Sequence, residues 1–228
     1  MNEWTNIAKQ TKQIQNAKNR VLNGKLLALI HKYVPEGGVA FDYGCGWGEF
    51  ADALVKNAFE VEAFDASDEM VEEARARYQK PHFYTRDEFQ ASLPKLEHKY
   101  DLVVSNLVLC ILTKKEQDEM LNNIKRIAKS DAPLVISFCH PCGDYLTVGV
   151  VSKRLRSHTW NPKYDKEFKY KKIIHENQIA FTDYHRPLEY YSKLFKEHEL
   201  EIVDLAESDV LNTESHPDFI AFVLKITN

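Results

Sequence analysis

Apolar and polar positions change period several times along the chain, and each change marks an element. Val39-Ala40-Phe41 is a short apolar run entered through Gly37-Gly38, and Phe50, Ala51, Leu54 and Val55 then recur at three-to-four spacing. That pair predicts a buried strand followed by an amphipathic helix. Phe59 to Phe64 reads as a second strand ending at Asp65. A helix follows with Ser67 as its N-cap, running through Met70, Val71, Ala74 and Tyr78 until Pro81 stops it. His82 to Thr85 is a short third strand ending near Asp87, and residues 88–99 around Pro94 read as a loop or a poor helix. Tyr100 to Asn106 is a continuous fourth strand, β-branched in its middle. Leu107 to Leu112 runs on as a loop, and residues 114–129 carry Met120, Leu121, Ile124, Ile127 and Ala128 on one helical face. Ala132 to Phe138 is a fifth buried strand. Five strand–helix units in succession predict a parallel sheet with helices on both faces. Ligands of such sheets bind beyond the carboxyl ends of the strands.

On either side of this block the pattern changes. Residues 4–33 are loosely helical, interrupted at Asn23-Gly24 into two helices, and residues 1–34 form an N-terminal helical cover. Residues 143–183 hold no long apolar helix and read as a lid inserted after the fifth strand. Within it, Phe168–Ile174 and Gln178–Tyr184 pair as a hairpin. A helix through Leu188, Tyr191, Leu194 and Phe195 leads into a sixth strand, Glu201 to Leu205, and Phe219 to Ile226 is the final strand. The 228 residues make one domain with an insertion.

Composition narrows the setting. A net charge of −4 argues weakly against a dedicated nucleic-acid binder. There is no apolar run of about 18 residues to span a membrane, and the N-terminus lacks a signal-peptide core. Cys45, Cys110, Cys139 and Cys142 sit in or beside apolar runs, not in a disulfide framework, so the expected compartment is the reducing cytoplasm.

The chemistry concentrates at the first turn. Asp42-Tyr43-Gly44-Cys45-Gly46-Trp47-Gly48 joins a strand to a helix through three alternating glycines. Glycine lets the backbone adopt positive φ and approach a ligand closely, and the helix start offers free N–H groups. The bland alternative is a tight turn with no ligand. Three acids, Asp42, Asp65 and Asp87, stand at three successive strand ends. Asp65, about twenty residues past the glycines, suits two ribose hydroxyls. Asp87, with the Glu88 N–H, is placed for an adenine amine, and Asp42 for orienting the loop and an ammonium group. Singly, each acid is more often a solvated cap. Together they favour a nucleoside site. The strict Gly-x-Gly-x-Gly spacing departs from the Gly-x-Gly-x-x-Gly dinucleotide fingerprint.

Asp42, Gly44, Gly46 and Gly48 resemble, position by position, the first motif of class I S-adenosylmethionine-dependent methyltransferases. Val61 to Met70 is similar to the second, with Asp65 as the ribose acid, Ala66 beside it, and Ser67 and Met70 in the pattern. Tyr100 to Leu109 resembles the fourth-strand motif, where Asn106 and Leu107 border the methionine part of the cofactor. The resemblance covers about residues 20–140 and resumes at Tyr184 to Leu205, where it is similar to the small-molecule methyltransferase type 11 and 25 group. It implies a Rossmann-like, mostly parallel seven-stranded sheet with the last strand antiparallel. It also implies S-adenosyl-L-methionine as cofactor, S-adenosyl-L-homocysteine as product, and in-line transfer driven by alignment. In similar proteins a basic residue of the N-terminal cover meets the cofactor carboxylate, a role for Arg20 beside its reading as a solvated helix residue. Cys110 departs from the pattern, since many relatives have His there.

Substrate-side candidates are His140, Tyr184 and His185, with Cys142 and Arg186 beside them; His140 reads equally as a loop histidine without a role. Cys139-His140-Pro141-Cys142 lacks further ligands at zinc spacing, so no metal is expected. The lid is basic, through Lys153, Arg154, Arg156, Lys163, Lys166, Lys169, Lys171 and Lys172, and aromatic residues are interleaved. This is either a solvated hairpin or a surface for an anionic or aromatic small molecule. RNA or protein methylation through the basic lid, and a non-catalytic cofactor-binding regulator, are the competing readings.

Overall fold

A computed structural model describes residues 17–143, 163–174, 179–209 and 216–227. The elements are α1 (Ala17–Tyr33), β1 (Gly38–Tyr43), α2 (Glu49–Lys56), β2 (Phe59–Phe64), α3 (Asp68–Arg77), β3 (His82–Tyr84) and α4 (Arg86–Leu96). There follow β4 (Leu102–Asn106), a short 3-10 turn (Leu109–Ile111), α5 (Lys114–Ile127) and β5 (Leu134–Cys139). The chain then forms β6 (Phe168–Ile174), β7 (Ile179–His185), α6 (Leu188–Glu197), β8 (Leu200–Glu207) and β9 (Phe219–Ile226). Seven strands form one sheet in the order β3-β2-β1-β4-β5-β9-β8. β1 to β5 are mutually parallel, and β9 runs antiparallel to both β5 and β8. This is the expected Rossmann-like α/β sheet. β6 and β7 pair antiparallel as a separate hairpin, inserted after the fifth strand, with Tyr170 opposite Asp183.

Strand alternation divides the core between the two faces. Phe41, Val103, Leu134, Ile136 and Phe138 pack on one side with α4, α5 and α6. Ala40, Leu102, Val104 and Val135 pack on the other with α1, α2 and α3. Both faces are covered, which is why the central strands read as continuous apolar runs. On the first face Phe41, Phe64 and Phe89 form an aromatic nucleus, with Phe64 and Phe89 stacked at 4.5 Å and the Tyr100 ring edge-on to Phe41 at 4.9 Å.

Two elements differ from the sequence reading. Residues 86–96 are a helix: Thr85 and Glu88 form a reciprocal capping box, and Phe89, Leu93 and Leu96 bury one stripe. Pro94 sits in the last turn and forgoes one i→i−4 bond there, a cost that the buried stripe outweighs. α1 runs unbroken through Asn23-Gly24, because Leu22, Leu26, Leu29 and Ile30 all lie buried on one face. That burial outweighs the roughly 1 kcal/mol penalty of a helical glycine. The more N-terminal helix expected from residue 4 onward lies outside the described residues, as do Lys153, Arg154 and Arg156 of the lid.

At the β8 edge, Ile202, Val203 and Leu205 are exposed, and the pairing register slips between Ile202 and Asp204. Such a bulge twists an edge away from further pairing. Among the described residues no helix is long and apolar enough to cross a membrane.

Candidate active site

β1 ends in a turn whose backbone is fastened to β2: the N–H groups of Gly44 and Cys45 both donate to the Phe64 carbonyl, at 2.7 and 2.9 Å. Gly44, Gly46 and Gly48 all have positive φ, at 84°, 51° and 79°. Their reasons differ. A Cβ on Gly44 would lie 2.3 Å from Val108 Cγ2, and one on Gly48 would lie 2.8 Å from Phe83 Cζ. These two glycines let the turn pack against β4's loop and β3. A Cβ on Gly46 would meet nothing within 4 Å. The backbone at Gly46 therefore faces open space, as a ligand cradle requires.

Asp65 closes this cradle. Its Oδ2 accepts from the Gly46 N–H at 2.8 Å and its Oδ1 from the Ser67 N–H at 2.9 Å. Burial raises its pKa, and the N–H groups of Ser67, Gly46 and Ala66 pull it back. Ala66 is half-buried beside it, and Met70 is buried one helical turn on, its N–H donating to the Ser67 N-cap.

Asp42 lies beneath. It is 1% exposed, and neither carboxylate oxygen has a hydrogen-bond partner. Burial, then the Asp65 charge, push its pKa up to about 7, with the Ala51 backbone opposing weakly. A buried carboxylate without a partner is costly unless something outside the fold completes it. Burial and then the same two acids hold the Cys45 thiol well above its ordinary range. The floor of the turn is thus electrostatically negative and suits a cationic group.

Asn106 ends β4. Its Oδ1 accepts from Ser137 Oγ at 2.7 Å, and its Nδ2 donates to Asn23 Oδ1 at 3.2 Å, tying α1 to the sheet edge. Leu107, next in the chain, takes φ 63°, a conformation that costs a side-chain-bearing residue about 1–2 kcal/mol. Its N–H donates to the Ser137 carbonyl at 2.9 Å, which holds it there. Arg20 lies in α1, but its side chain is outside what is described.

The other expected contacts are distributed differently. Asp87 is exposed in the first turn of α4. Glu88 is engaged as a helix cap rather than left open to adenine: its N–H donates to Thr85 Oγ1, and its carboxylate takes the Thr85 N–H and Arg75. His140 is buried at the end of β5 with both ring nitrogens engaged. Nδ1 accepts from the Cys142 N–H at 3.2 Å, so Nε2 carries the proton and donates to Glu207 at 2.9 Å. A proton acceptor would have to break one of these bonds.

Burial alternates along β7: Phe181, Asp183 and His185 are buried, while Thr182 and Tyr184 are half-buried on the opposite face. Tyr184 therefore turns away from the hairpin's buried face, and the Arg186 guanidinium lies 4.5 Å from its ring. The His185 ring stacks on Phe168 at 4.6 Å and meets the Tyr164 carbonyl at 2.8 Å through Nε2. Arg186 serves the architecture. Its guanidinium donates to the carbonyls of Cys110 and Leu112 and lies over the Tyr190 ring at 5.2 Å, pinning hairpin and α6 to the 3-10 turn.

Sequence reasoning did not single out Lys172 and Asp183 as partners. Their contact, 3.2 Å between Nζ and Oδ2, brings the hairpin's buried face to Cys139 at the end of β5. The period-2 pattern of β6 and β7 was the available signal. Among the described residues no group of three or more His, Cys, Asp or Glu side chains is placed to hold a metal ion.

A parallel sheet with a glycine cradle at β1, a carboxylate at the end of β2 and a strained residue after β4 is the arrangement that the resemblance to class I methyltransferases implies. Residues 40–131 match the family model described as a methyltransferase domain. A ribosomal protein L11 methyltransferase from Campylobacter concisus is 30% identical over 111 residues, which are 49% of this chain and 38% of that protein. The chain thus spans less than half the length of that curated relative. Two solved structures share the fold. A 1,6-didemethyltoxoflavin-N1-methyltransferase from Burkholderia thailandensis, with bound 1,6-didemethyltoxoflavin and S-adenosylhomocysteine, has TM-score 0.65 and 13% identity, covering 99% of this chain and 86% of that one. Magnesium protoporphyrin IX methyltransferase from Synechocystis PCC 6803, with bound S-adenosylhomocysteine, has TM-score 0.64 and 18% identity, covering 99% and 93%.

Proposed function

We propose that the chain binds S-adenosyl-L-methionine at the β1 turn and transfers its methyl group to a small-molecule acceptor approaching from the hairpin side. The observation that carries the reading is the buried, unpartnered Asp42 carboxylate under the open backbone of Gly46, beside the second acid, Asp65. This donor set fits the cofactor chemically. Asp65 would hold the ribose hydroxyls; Asp42 would answer the ammonium charge, either directly or through water; Gly46 gives room for close approach; Asn106 and Leu107 would border the methionine end. Ala66 and Met70 would line the nucleoside side, and Asp87 stands exposed beyond it.

When bound, the cofactor supplies an electrophilic methyl on a sulfonium, for in-line displacement. The chain's own residues then bind, align and exclude water, and such positioning accounts for most of the rate. A base is required only for an acceptor that must lose a proton. His140, as bonded here, fits a positioning role better than that one.

A small-molecule acceptor is supported by the hairpin docked at the ends of β4 and β5, and by fold relatives named for 1,6-didemethyltoxoflavin and magnesium protoporphyrin IX. The second reading, a protein acceptor, is favoured by the curated relative named for ribosomal protein L11. Radiolabelled S-adenosylmethionine incubated separately with a metabolite extract and with intact ribosomal protein distinguishes them. Label in the low-molecular-weight fraction supports the first, and label on protein moves the assignment to the second. Label in neither, with cofactor bound, favours a non-catalytic cofactor-binding regulator.

A further inference from the structure

Asn23-Gly24 sets two poor helix formers side by side inside α1. Core packing explains why the helix survives them, not why they are there. Gly24 is exposed, and a Cβ on it would meet nothing within 4 Å, so no close approach calls for glycine. Asn23 is different. It is half-buried next to the buried Leu22, and its side chain reaches the sheet, where Oδ1 accepts from Asn106 Nδ2 at 3.2 Å. The fastenings at the other end of α1 lie about 12–15 Å further along its axis. There His31 meets Asn57 at 3.0 Å, and Lys32 and Tyr33 donate to Asp204 Oδ2 at 2.6 and 2.8 Å. Lys25 reaches Asp209 at 2.9 Å, but both side chains are largely exposed, and such a pair contributes little.

Asn106 is held from its other side by β5, where Ser137 is its register partner. Ser137 is fully buried. Its Oγ donates to Asn106 Oδ1 at 2.7 Å, and its carbonyl takes the N–H of the strained Leu107 at 2.9 Å. One serine thus fixes both the amide oxygen of Asn106 and the backbone that follows it. The last torsion of an asparagine is intrinsically soft. With Oδ1 on Ser137 and one N–H on Asn23, that torsion is set from two sides. A primary amide has two N–H groups, so one donor remains. It stands at the carboxyl end of β4, on a half-buried residue at the edge where ligands of such sheets bind.

We propose that Asn23 is a positioning residue for cofactor binding: it orients the Asn106 amide so that the remaining N–H meets the amino-acid end of S-adenosylmethionine. This rests on the cofactor site proposed above. Asn23 acts through Asn106 and not by touching the cofactor. The cofactor's carboxylate is the acceptor that matches such a donor. The nucleoside end lies with Asp65 at the end of β2, on the far side of β1 from β4, and is indifferent to Asn23. An asparagine at position 23 therefore contributes a short, rigid acceptor that a better helix former would not supply.

The test titrates the full chain with two ligands: S-adenosylhomocysteine, which carries the amino-acid end, and 5′-methylthioadenosine, which lacks it. Asn23→Ala should weaken S-adenosylhomocysteine about five- to tenfold, the loss of one oriented hydrogen bond, and leave 5′-methylthioadenosine within about twofold. A merely structural role would not separate the two ligands. Alanine is the better helix former, so α1 loses nothing by propensity, and circular dichroism checks that the variant is folded. Asn23→Ser, one atom shorter in its reach, should repeat the loss and carries the test if the alanine variant is not folded. Asn106→Ala should weaken S-adenosylhomocysteine at least as much, and adding Asn23→Ala to it should cost almost nothing further. Equal losses for the two ligands, no loss for S-adenosylhomocysteine in the folded variants, or full additivity of the two substitutions overturns the proposal and leaves the cofactor reading standing. A folded wild-type chain that binds neither ligand overturns both.

Discussion

Replacing Asp42 with asparagine should stabilise the protein while removing its ability to hold the cofactor. In the folded chain this carboxyl keeps its proton up to about 7, whereas in the unfolded chain it ionises near its ordinary 3.8. Folding between those values takes up a proton. The contribution of Asp42 to stability is therefore fully present below pH 3.8, is lost as pH rises toward 7, and changes no further above. At about 1.4 kcal/mol for each pH unit, the gap between 3.8 and about 7 corresponds to on the order of 4 kcal/mol. Relaxation and water reaching the carboxylate reduce this, so about 2 kcal/mol is the working expectation, or a Tm higher by roughly 4–8 °C at pH 8. Asparagine preserves the shape and removes the ionisation. Thermal unfolding of both proteins from pH 4 to pH 8.5 is the assay. The two curves should coincide at the acid end and separate as pH rises. A difference that does not vary with pH, or an Asp42→Asn protein that binds S-adenosylhomocysteine as well as wild type, would refute the reasoning.

Other expectations follow from the same geometry. Gly46→Ala adds a Cβ into open space at positive φ, so it should cost only about 1–2 kcal/mol of stability by chemical denaturation yet weaken S-adenosylhomocysteine binding more than tenfold. Asp65→Ala should weaken that binding by about a hundredfold, the loss of a charge-assisted pair of ribose hydrogen bonds, and fluorescence titration reads it directly. Arg186→Met removes two charged hydrogen bonds, to the buried Cys110 carbonyl and the part-buried Leu112 carbonyl, and should lower stability by about 2–4 kcal/mol, with cofactor affinity unchanged; an equal loss of affinity would place Arg186 in the site.

The sheet was legible because each of its central strands is buried on both faces and reads as an unbroken apolar run. Ala40, Phe41, Val103, Val104, Val135 and Ile136 show this. The glycine turn was legible because its spacing is short-range. What separated Gly46, over open space, from Gly44 and Gly48, which pack against Val108 and Phe83, was not local and needed the neighbours. α4 was left open between a loop and a poor helix because Pro94 weighed against a capping box whose two members sit three residues apart. The Asn23-Gly24 break was overread, since propensity is weak against four buried apolar side chains. His140 was placed correctly at a strand end, but its bonds to Glu207 and Cys142 join segments distant in sequence or local only after folding. The hairpin was visible as paired runs, whereas the Lys172–Asp183–Cys139 contacts depend on how that hairpin docks.

Calorimetric titration of the purified chain with S-adenosylhomocysteine tests the central claim most directly. The account predicts saturable binding at one site per chain, lost in Asp42→Asn and sharply weakened in Asp65→Ala. A folded wild-type chain that shows no binding, or variants that bind as it does, would contradict it.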